Sequence, residues 1–242
     1  EARRWLQLGW ADVCVAGAID NGVSPLSMAG FGNLRALSRK NERPEAASRP
    51  FDKDRDGMVL GDGGALFVLE RESNARARQA KSYAEIAGFG GTSDAHHLVI
   101  PCPEPAQGIA AMRQALRNAN VSPQELSYIN AHATSTCVGD VGEARVLHAV
   151  LGDSVSSIPI SSTKSMTGHL LSAAAAVEAV ACLVAIERQA VPPTINLDET
   201  DPECAMLCHV PHRAISHPVS ITVSNSFGFG GNNTSLVLRA VA

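Results

Sequence analysis

Aromatic residues are scarce: Phe, Tyr and Trp make up 4% of the 242 residues. So few rings leave no stacking platform for single-stranded nucleic acid. Charge of one sign is also lacking. The net charge is −4, so no basic field draws in nucleic acid or a membrane surface. No apolar run is long and clean enough to cross a bilayer. The best, residues 169–186, is alanine-rich, carries Glu178 and offers only about 18 residues. It reads as a buried core helix. Six cysteines in a chain this long make no disulfide scaffold, and a reducing compartment is the simpler reading. No secretory leader is visible.

Several motifs fail as well. There is no phosphate loop. GFGNLR (30–35) and GFGGNN (228–233) both break the dinucleotide-binding spacing at its last glycine. Cys204, Cys208, His209 and His212 match no standard zinc-finger spacing. Ser161-x-x-Lys164 matches a serine acyl-enzyme motif, but its partner motifs S-D-N and K-T-G are missing. A serine acyltransferase or hydrolase using Ser161 therefore stands as a rival reading.

What is present is 45% apolar and 18% charged, ordinary for a globular protein. EARRWLQLGW opens the chain at helical spacing without a capping residue. It reads as the continuation of a helix, and the chain as the C-terminal part of something larger. ADVCVAGAID (11–20) has apolar residues on both faces, the pattern of a central strand in a covered sheet. Residues 22–56 read as loops with short helices. Strands and helices then alternate, which predicts layered α/β. Helices are expected near 71–79, 106–120, 141–150 and through the alanine-rich run. GDGGALFVLE (61–70) echoes GFGGNNTSLVLR (228–239), a glycine turn feeding an apolar strand. The echo suggests two similar halves.

Chemistry gathers where strands end. INAHATST places His132 at such an end, and SSTKSMTGH puts Lys164 and His169 after another. His169 reads as opening the long helix, whose N-terminus disfavours imidazolium. A neutral histidine there can donate to a developing oxyanion. Either histidine alone reads equally well as structural; both at strand ends favour catalysis. Glu178, on an apolar helix, needs a partner, and Lys164 is the nearest plausible one. Phe229, in the loop Gly228–Gly231, offers a backbone N–H for an oxyanion and a ring that can gate a pocket. The bland alternative is a plain glycine turn.

RALS (35–38), AASRPFDKDRDGMVLGDGG (46–64), NAHATST (130–136), SSTKSMTGHLL (161–171), VPPTINLD (191–198) and NSFGFGGN (225–232) occur in one order. Together they resemble the β-ketoacyl-[acyl carrier protein] synthases of type II fatty acid synthesis, the synthase II branch especially. The resemblance covers nearly the whole chain. It implies a thiolase-like fold, layered α/β/α/β/α with two similar halves, N-terminally incomplete here. Residues 1–90 would be the remainder of the first half and 91–242 the second. It implies a homodimer.

The family's Cys-His-His set maps its histidines onto His132 and His169, its lysine onto Lys164 and its buried glutamate onto Glu178. Thr134 and Thr136 would hold the pantetheine arm beside Gly228, Gly230 and Gly231. Phe229 would supply the gate and one oxyanion N–H. Asn130, Glu178, Ser224 and Asn225 resemble a monovalent cation site of some members. The nucleophilic cysteine would lie upstream of Glu1, so the segment alone is expected not to condense and to fold poorly. Cys14, Cys137 and Cys182 read as core or lining residues. Cys137 and Ala133 stand where relatives often have proline and glycine. The implied reaction is a decarboxylative Claisen condensation of malonyl-acyl carrier protein, without redox cofactor or nucleotide. A non-elongating decarboxylase or chain-length partner subunit is the alternative within the family. Acidic acyl carrier protein needs a basic patch, for which Arg35, Arg39, Lys40 and Arg43 are the candidates; the alternative is a solvated loop. The implied compartment is the bacterial cytoplasm, with mitochondrion or plastid as alternatives.

Overall fold

The apolar stripes of the sequence fold into a two-stranded and a six-stranded sheet with a helix between them; a further two-stranded pair joins residues 190–191 to 215–216. The computed structural model describes residues 1–241. Its helices are Ala2–Gln7 (α1), Pro25–Asn33 (α2), Glu72–Ala77 (α3), Ala106–Ala119 (α4), Cys137–Leu151 (α5), Lys164–Thr167 (α6) and Ala174–Arg188 (α7). Its strands are Val13–Asp20 (β1), Gly63–Glu70 (β2), Glu85–Ser93 (β3), Tyr128–Asn130 (β4), Pro159–Ser161 (β5), Ala190–Val191 (β6), Cys208–His209 (β7), Ile215–Ser216 (β8), Ile221–Gly228 (β9) and Asn232–Arg239 (β10).

Local chemistry sets the ends. Ser24 caps α2 by accepting from the Ser27 N–H, and Pro25 starts the first turn. α4 buries Ala111, Met112, Ala115, Leu116 and Ala119, a 3.6-residue stripe. It stops at Asn120, whose φ of 52° closes the helix in the left-handed form. α7 stops the same way at Gln189.

The larger sheet has the order β3-β10-β9-β4-β5-β7. β3, β10 and β9 are antiparallel, while β9, β4, β5 and β7 run parallel. α4 and α5 cover one face through Met112, Leu116, Leu147, Ile129, Ile160 and Val223. α7 covers the other through Ala179, Cys182 and Ala185 against Tyr128 and Leu238. Beyond α7 lies the β1–β2 pair, with Ala18 against Ala173 and Ala174. α1 also spans the two sheets: Arg3 donates to Ala87 O of β3 at 2.9 Å, and Cys14 of β1 lies against Ala2 O. Four layers result: two-stranded sheet, helix, six-stranded sheet, helix pair.

The strand at 11–20 departs from expectation. Only one face of β1 is covered; Val13, Val15 and Ile19 on the other are 54, 68 and 72% exposed. No described element packs on that face, so the two-sided apolar pattern has only one side buried. The division expected at residue 90 falls inside β3, which pairs with β10 in the larger sheet. The echoed segments each become the second strand of an antiparallel pair, β1–β2 and β9–β10. No helix among the described residues is long and apolar enough to cross a membrane.

Candidate active site

Parallel register brings the site together. Asn130 of β4 pairs with Ser161 of β5 and with Ser224 of β9, so three strands end side by side. His132 follows β4 by two residues, and Lys164 follows β5 by three. His169 arrives by a bridge to Leu60: its N–H donates to Val59 O at 2.7 Å, and its carbonyl accepts from Gly61 N at 3.0 Å. The two imidazoles meet edge to face, centroids 5.5 Å apart and planes at 85°. Phe227 flanks His132 at 5.9 Å.

Behind them sits a buried ion pair. Lys164 and Glu178 are 1% and 3% exposed, and the ammonium bonds directly to the carboxylate. It also donates to His132 O at 2.5 Å and lies 3.4 Å from His132 Nδ1. An ammonium only donates, so Nδ1 accepts and the His132 proton resides on Nε2. His169 Nδ1 accepts from the Leu171 N–H at 3.3 Å, which also leaves its proton on Nε2. Burial, then the Lys164 charge, holds His132 well below the ordinary histidine range. The same two causes bring His169 down to about 3. Burial raises Glu178, and Lys164 pulls it back. Two neutral imidazoles therefore carry N–H groups at Nε2, beside a buried ion pair.

One expectation changes its cause. His169 does not open the long helix; α7 begins at Ala174, after a short turn over Leu171–Ala173. Its neutrality comes from burial and Lys164, with no helix terminus involved. Ser161 also fails as a nucleophile. It is fully buried, its Oγ lies 2.9 Å from Tyr128 Oη, and Lys164 Nζ is turned to Glu178 and His132.

The remaining expected residues divide. Thr134 and Thr136 face each other, their hydroxyls 3.1 Å apart. Phe229 is 49% exposed, its ring 6.1 Å from that of Phe31. Its loop is fastened by Gly230 N to Leu98 O at 2.7 Å and by Asp94 N to Gly231 O at 2.8 Å. Gly230 and Gly231 take φ of 78° and 74°, which glycine permits freely. Arg35, Arg39 and Arg43 are exposed and Lys40 half-buried, all outside the buried site. Cys182 is fully buried and pushed up to about 12, whereas Cys137 is exposed. Asn130 Oδ1 and Glu178 Oε2 are buried acceptors without a hydrogen-bond partner among the described residues. Such oxygens suit a monovalent cation. Asn225 is committed elsewhere, to Glu143 and Ser235.

Sequence reasoning missed Glu143. This carboxylate, 1% exposed, accepts from His132 N at 3.0 Å, Ala133 N at 2.7 Å and Asn225 Nδ2 at 3.1 Å. It fixes the backbone that carries His132. The signal was available: Asp140 and Glu143 lie on one helical stripe with Ala144 and Leu147. Gly139 was missed too. A Cβ there would stand 2.5 Å from Thr136 Oγ1, so its bare backbone leaves room for that hydroxyl.

Comparison with known proteins shows the family and the fold. Residues 1–75 match the beta-ketoacyl synthase N-terminal domain and residues 83–198 the C-terminal domain of the same family. The chain is 48% identical to 3-oxoacyl-[acyl-carrier-protein] synthase 2 of Vibrio harveyi, over 100% of its own length and 58% of that protein's. It is 45% identical to the mitochondrial 3-oxoacyl-[acyl-carrier-protein] synthase of Arabidopsis thaliana, covering 53% of it. A solved type II PKS ketosynthase, in complex with its acyl-carrier protein, superposes with a TM-score of 0.96 at 39% identity. The match covers all of this chain and 59% of that one. The chain thus spans a little over half the length of these relatives, and its fold is part of a thiolase-like one. The paired domain matches, through one run of strands that carries both histidines, make this chain a member of the beta-ketoacyl synthase family.

Proposed function

We propose that the full-length protein is a β-ketoacyl-[acyl carrier protein] synthase, and that residues 1–242 supply its decarboxylating half. One observation carries the reading: two neutral imidazoles, 5.5 Å apart, each have Nδ1 engaged and so carry their proton on Nε2, beside the buried Lys164–Glu178 pair. A malonyl thioester placed between them directs its carbonyl oxygen at both donors. Its carboxylate leaves as carbon dioxide, and the C–C bonding pair passes into an enolate. The developing oxyanion takes both N–H bonds, stabilisation that matters only as charge appears. The enolate carbon then attacks an acyl thioester on a cysteine supplied from outside residues 1–242, and that thiolate is expelled. The Phe229 N–H is proposed as one donor to the tetrahedral oxyanion. Protonated histidines would repel nothing anionic but would need a counter-charge; burial against Lys164 keeps them neutral and ready to donate.

Thr134 and Thr136, with the glycines of the Phe229 loop, are proposed to seat the pantetheine arm. Arg35, Arg39, Lys40 and Arg43 are proposed to meet the acidic carrier protein. A monovalent cation, where present, would be held by Asn130 and Glu178 with Ser224 beside them, and would have a structural role. Homodimerisation and a bacterial cytoplasmic setting belong to the same proposal. The test is carbon dioxide release from malonyl-acyl carrier protein by the full-length protein. His132→Ala and His169→Ala should each lower it by at least about a hundredfold. Undiminished release by the double variant would sink the reading.

A further inference from the structure

Residues 47–61 bond in turn to the segments that carry Lys164, the Thr134–Thr136 pair and His169. Ser48 Oγ donates to Lys164 O at 2.7 Å. Arg49 N donates to Ser135 Oγ at 3.0 Å, and Gly57 N to Ser135 O at 3.0 Å. Val59 and Gly61 hold the backbone of His169, as described above. Ser135 is fully buried with a φ of 69°, a conformation uncommon for a residue with a Cβ. It persists because both its hydroxyl and its carbonyl find donors on this strap. Gly57 has no alternative: its φ is 149°, and a Cβ would lie 2.5 Å from Leu37 C.

Arg55 is the centre of the strap, 5% exposed. Its Nε donates to Thr136 O at 3.1 Å and its Nη2 to Cys137 O at 2.9 Å. Nη1 donates to Asp52 O at 2.8 Å and to Asp201 Oδ2 at 2.7 Å. Asp140 Oδ2 stands 3.5 Å from Nε. A guanidinium is planar and rigid, so acceptors around its rim fix one another's positions. Two of these acceptors are the carbonyls at the head of α5, directly beside the Thr134–Thr136 hydroxyl pair. From the other side, Gly139 leaves the space into which the Thr136 hydroxyl turns. None of these contacts reaches the imidazoles.

We propose that Arg55 is a positioning residue for the substrate: by holding the Thr136 and Cys137 carbonyls it sets where the Thr134 and Thr136 hydroxyls stand, and through them the affinity for the pantetheine arm. The inference deepens the condensing reading and rests on its assignment of that hydroxyl pair. Lysine cannot take the place of Arg55, because an ammonium is a point donor and cannot span two successive carbonyls while facing Asp201.

The experiment uses the full-length protein and a malonyl-pantetheine amide, which resists cleavage where the thioester would react. Calorimetric titration gives Kd and stoichiometry for the unaltered protein, Arg55→Lys and Gly139→Ala. Turnover with malonyl-acyl carrier protein and a scan of thermal stability accompany it. Arg55→Lys should weaken binding about tenfold at unchanged stoichiometry, with KM rising in step and kcat within about twofold. Gly139→Ala, which crowds the hydroxyl without touching Arg55, should weaken binding comparably. A purely structural Arg55 would instead lower the melting temperature and the fraction of binding sites at constant Kd; that result overturns the inference. Weak binding by Gly139→Ala with normal binding by Arg55→Lys also overturns it, and leaves the hydroxyl assignment standing. Normal binding by both variants removes the hydroxyl assignment and the inference together. No binding by the unaltered protein removes the condensing reading itself.

Discussion

Replacing Lys164 by methionine tests the buried pair on which the site is built. The side chain is 1% exposed, so methionine fills much of its volume while deleting the charge. Glu178, 3% exposed, then loses its only hydrogen-bonded cation among the described residues, and His132 O loses a donor at 2.5 Å. Removing one member of a buried pair costs about 3–5 kcal/mol. Protonation of Glu178 limits the loss, since burial already raises it and Lys164 opposes that rise. The expected destabilisation of the full-length protein is therefore about 4 kcal/mol, or roughly ten degrees of melting temperature. Lys164→Met with Glu178→Leu removes both charges and should recover about half of it, leaving mainly the orphaned His132 carbonyl. The second readout is electrostatic. Lys164 is, after burial, the main influence depressing His132. In Lys164→Met the His132 titration, followed by NMR, should move up while staying below the ordinary histidine range. A double variant as unstable as the sum of its singles, or a His132 titration that does not move, would refute this account of the pair.

Acid should destabilise the protein through the two histidines of the site, His132 and His169. Both fold with depressed values, His169 at about 3, so the folded state stays neutral while the unfolded chain binds protons below about pH 6.5. Their contribution is whole above pH 6.5 and is lost as pH falls, by about 2 kcal/mol each at pH 5; denaturant titrations of the protein and of His169→Gln at pH 5 and 8 read this as a flatter profile for the variant. Asp140 has the opposite sign. Burial raises it to about 7, so its contribution is present at low pH and lost as pH rises through 7. The melting temperature of Asp140→Asn relative to the unaltered protein should therefore rise between pH 5 and 8. Glu143→Gln replaces an acceptor of three N–H groups by an amide that turns its own donors toward one of them; about 2–3 kcal/mol should be lost, with carbon dioxide release falling because the His132 backbone shifts. Alkylation under native conditions, mapped by mass spectrometry, should mark exposed Cys137 well before Cys182, which is fully buried and pushed up to about 12.

The parts of this site that were legible in sequence are those that repeat a local rule. His132 and Lys164 lie where an apolar run turns polar, and parallel strands must end together at such points. Glu178 stood out because a carboxylate on an apolar helix needs a cation. The long helix was read too early because residues 169–173 continue its apolar composition. There the backbone of His169 bonds to Val59 and Gly61, 108 residues or more away along the chain, and no helical pattern encodes that contact. The same reason hid Arg55, which satisfies the carbonyls of Thr136 and Cys137 more than 80 residues away; a guanidinium looks alike in sequence whether it meets water or a buried peptide. Glu143, whose backbone partners lie only 10 and 11 residues away, was legible as a buried helical stripe and was overlooked. The two-sided pattern of β1 shows the converse. Its apolar residues on both faces predicted a covered central strand, yet Val13, Val15 and Ile19 are exposed, because burial depends on a second layer and not on the strand that presents itself to it. Long-range backbone contacts, rather than the recognisable chemistry, thus decide whether two histidines 37 residues apart face each other at 5.5 Å. The strap at 47–61 supplies several of those contacts, holding the backbones of Lys164, Ser135 and His169 in place.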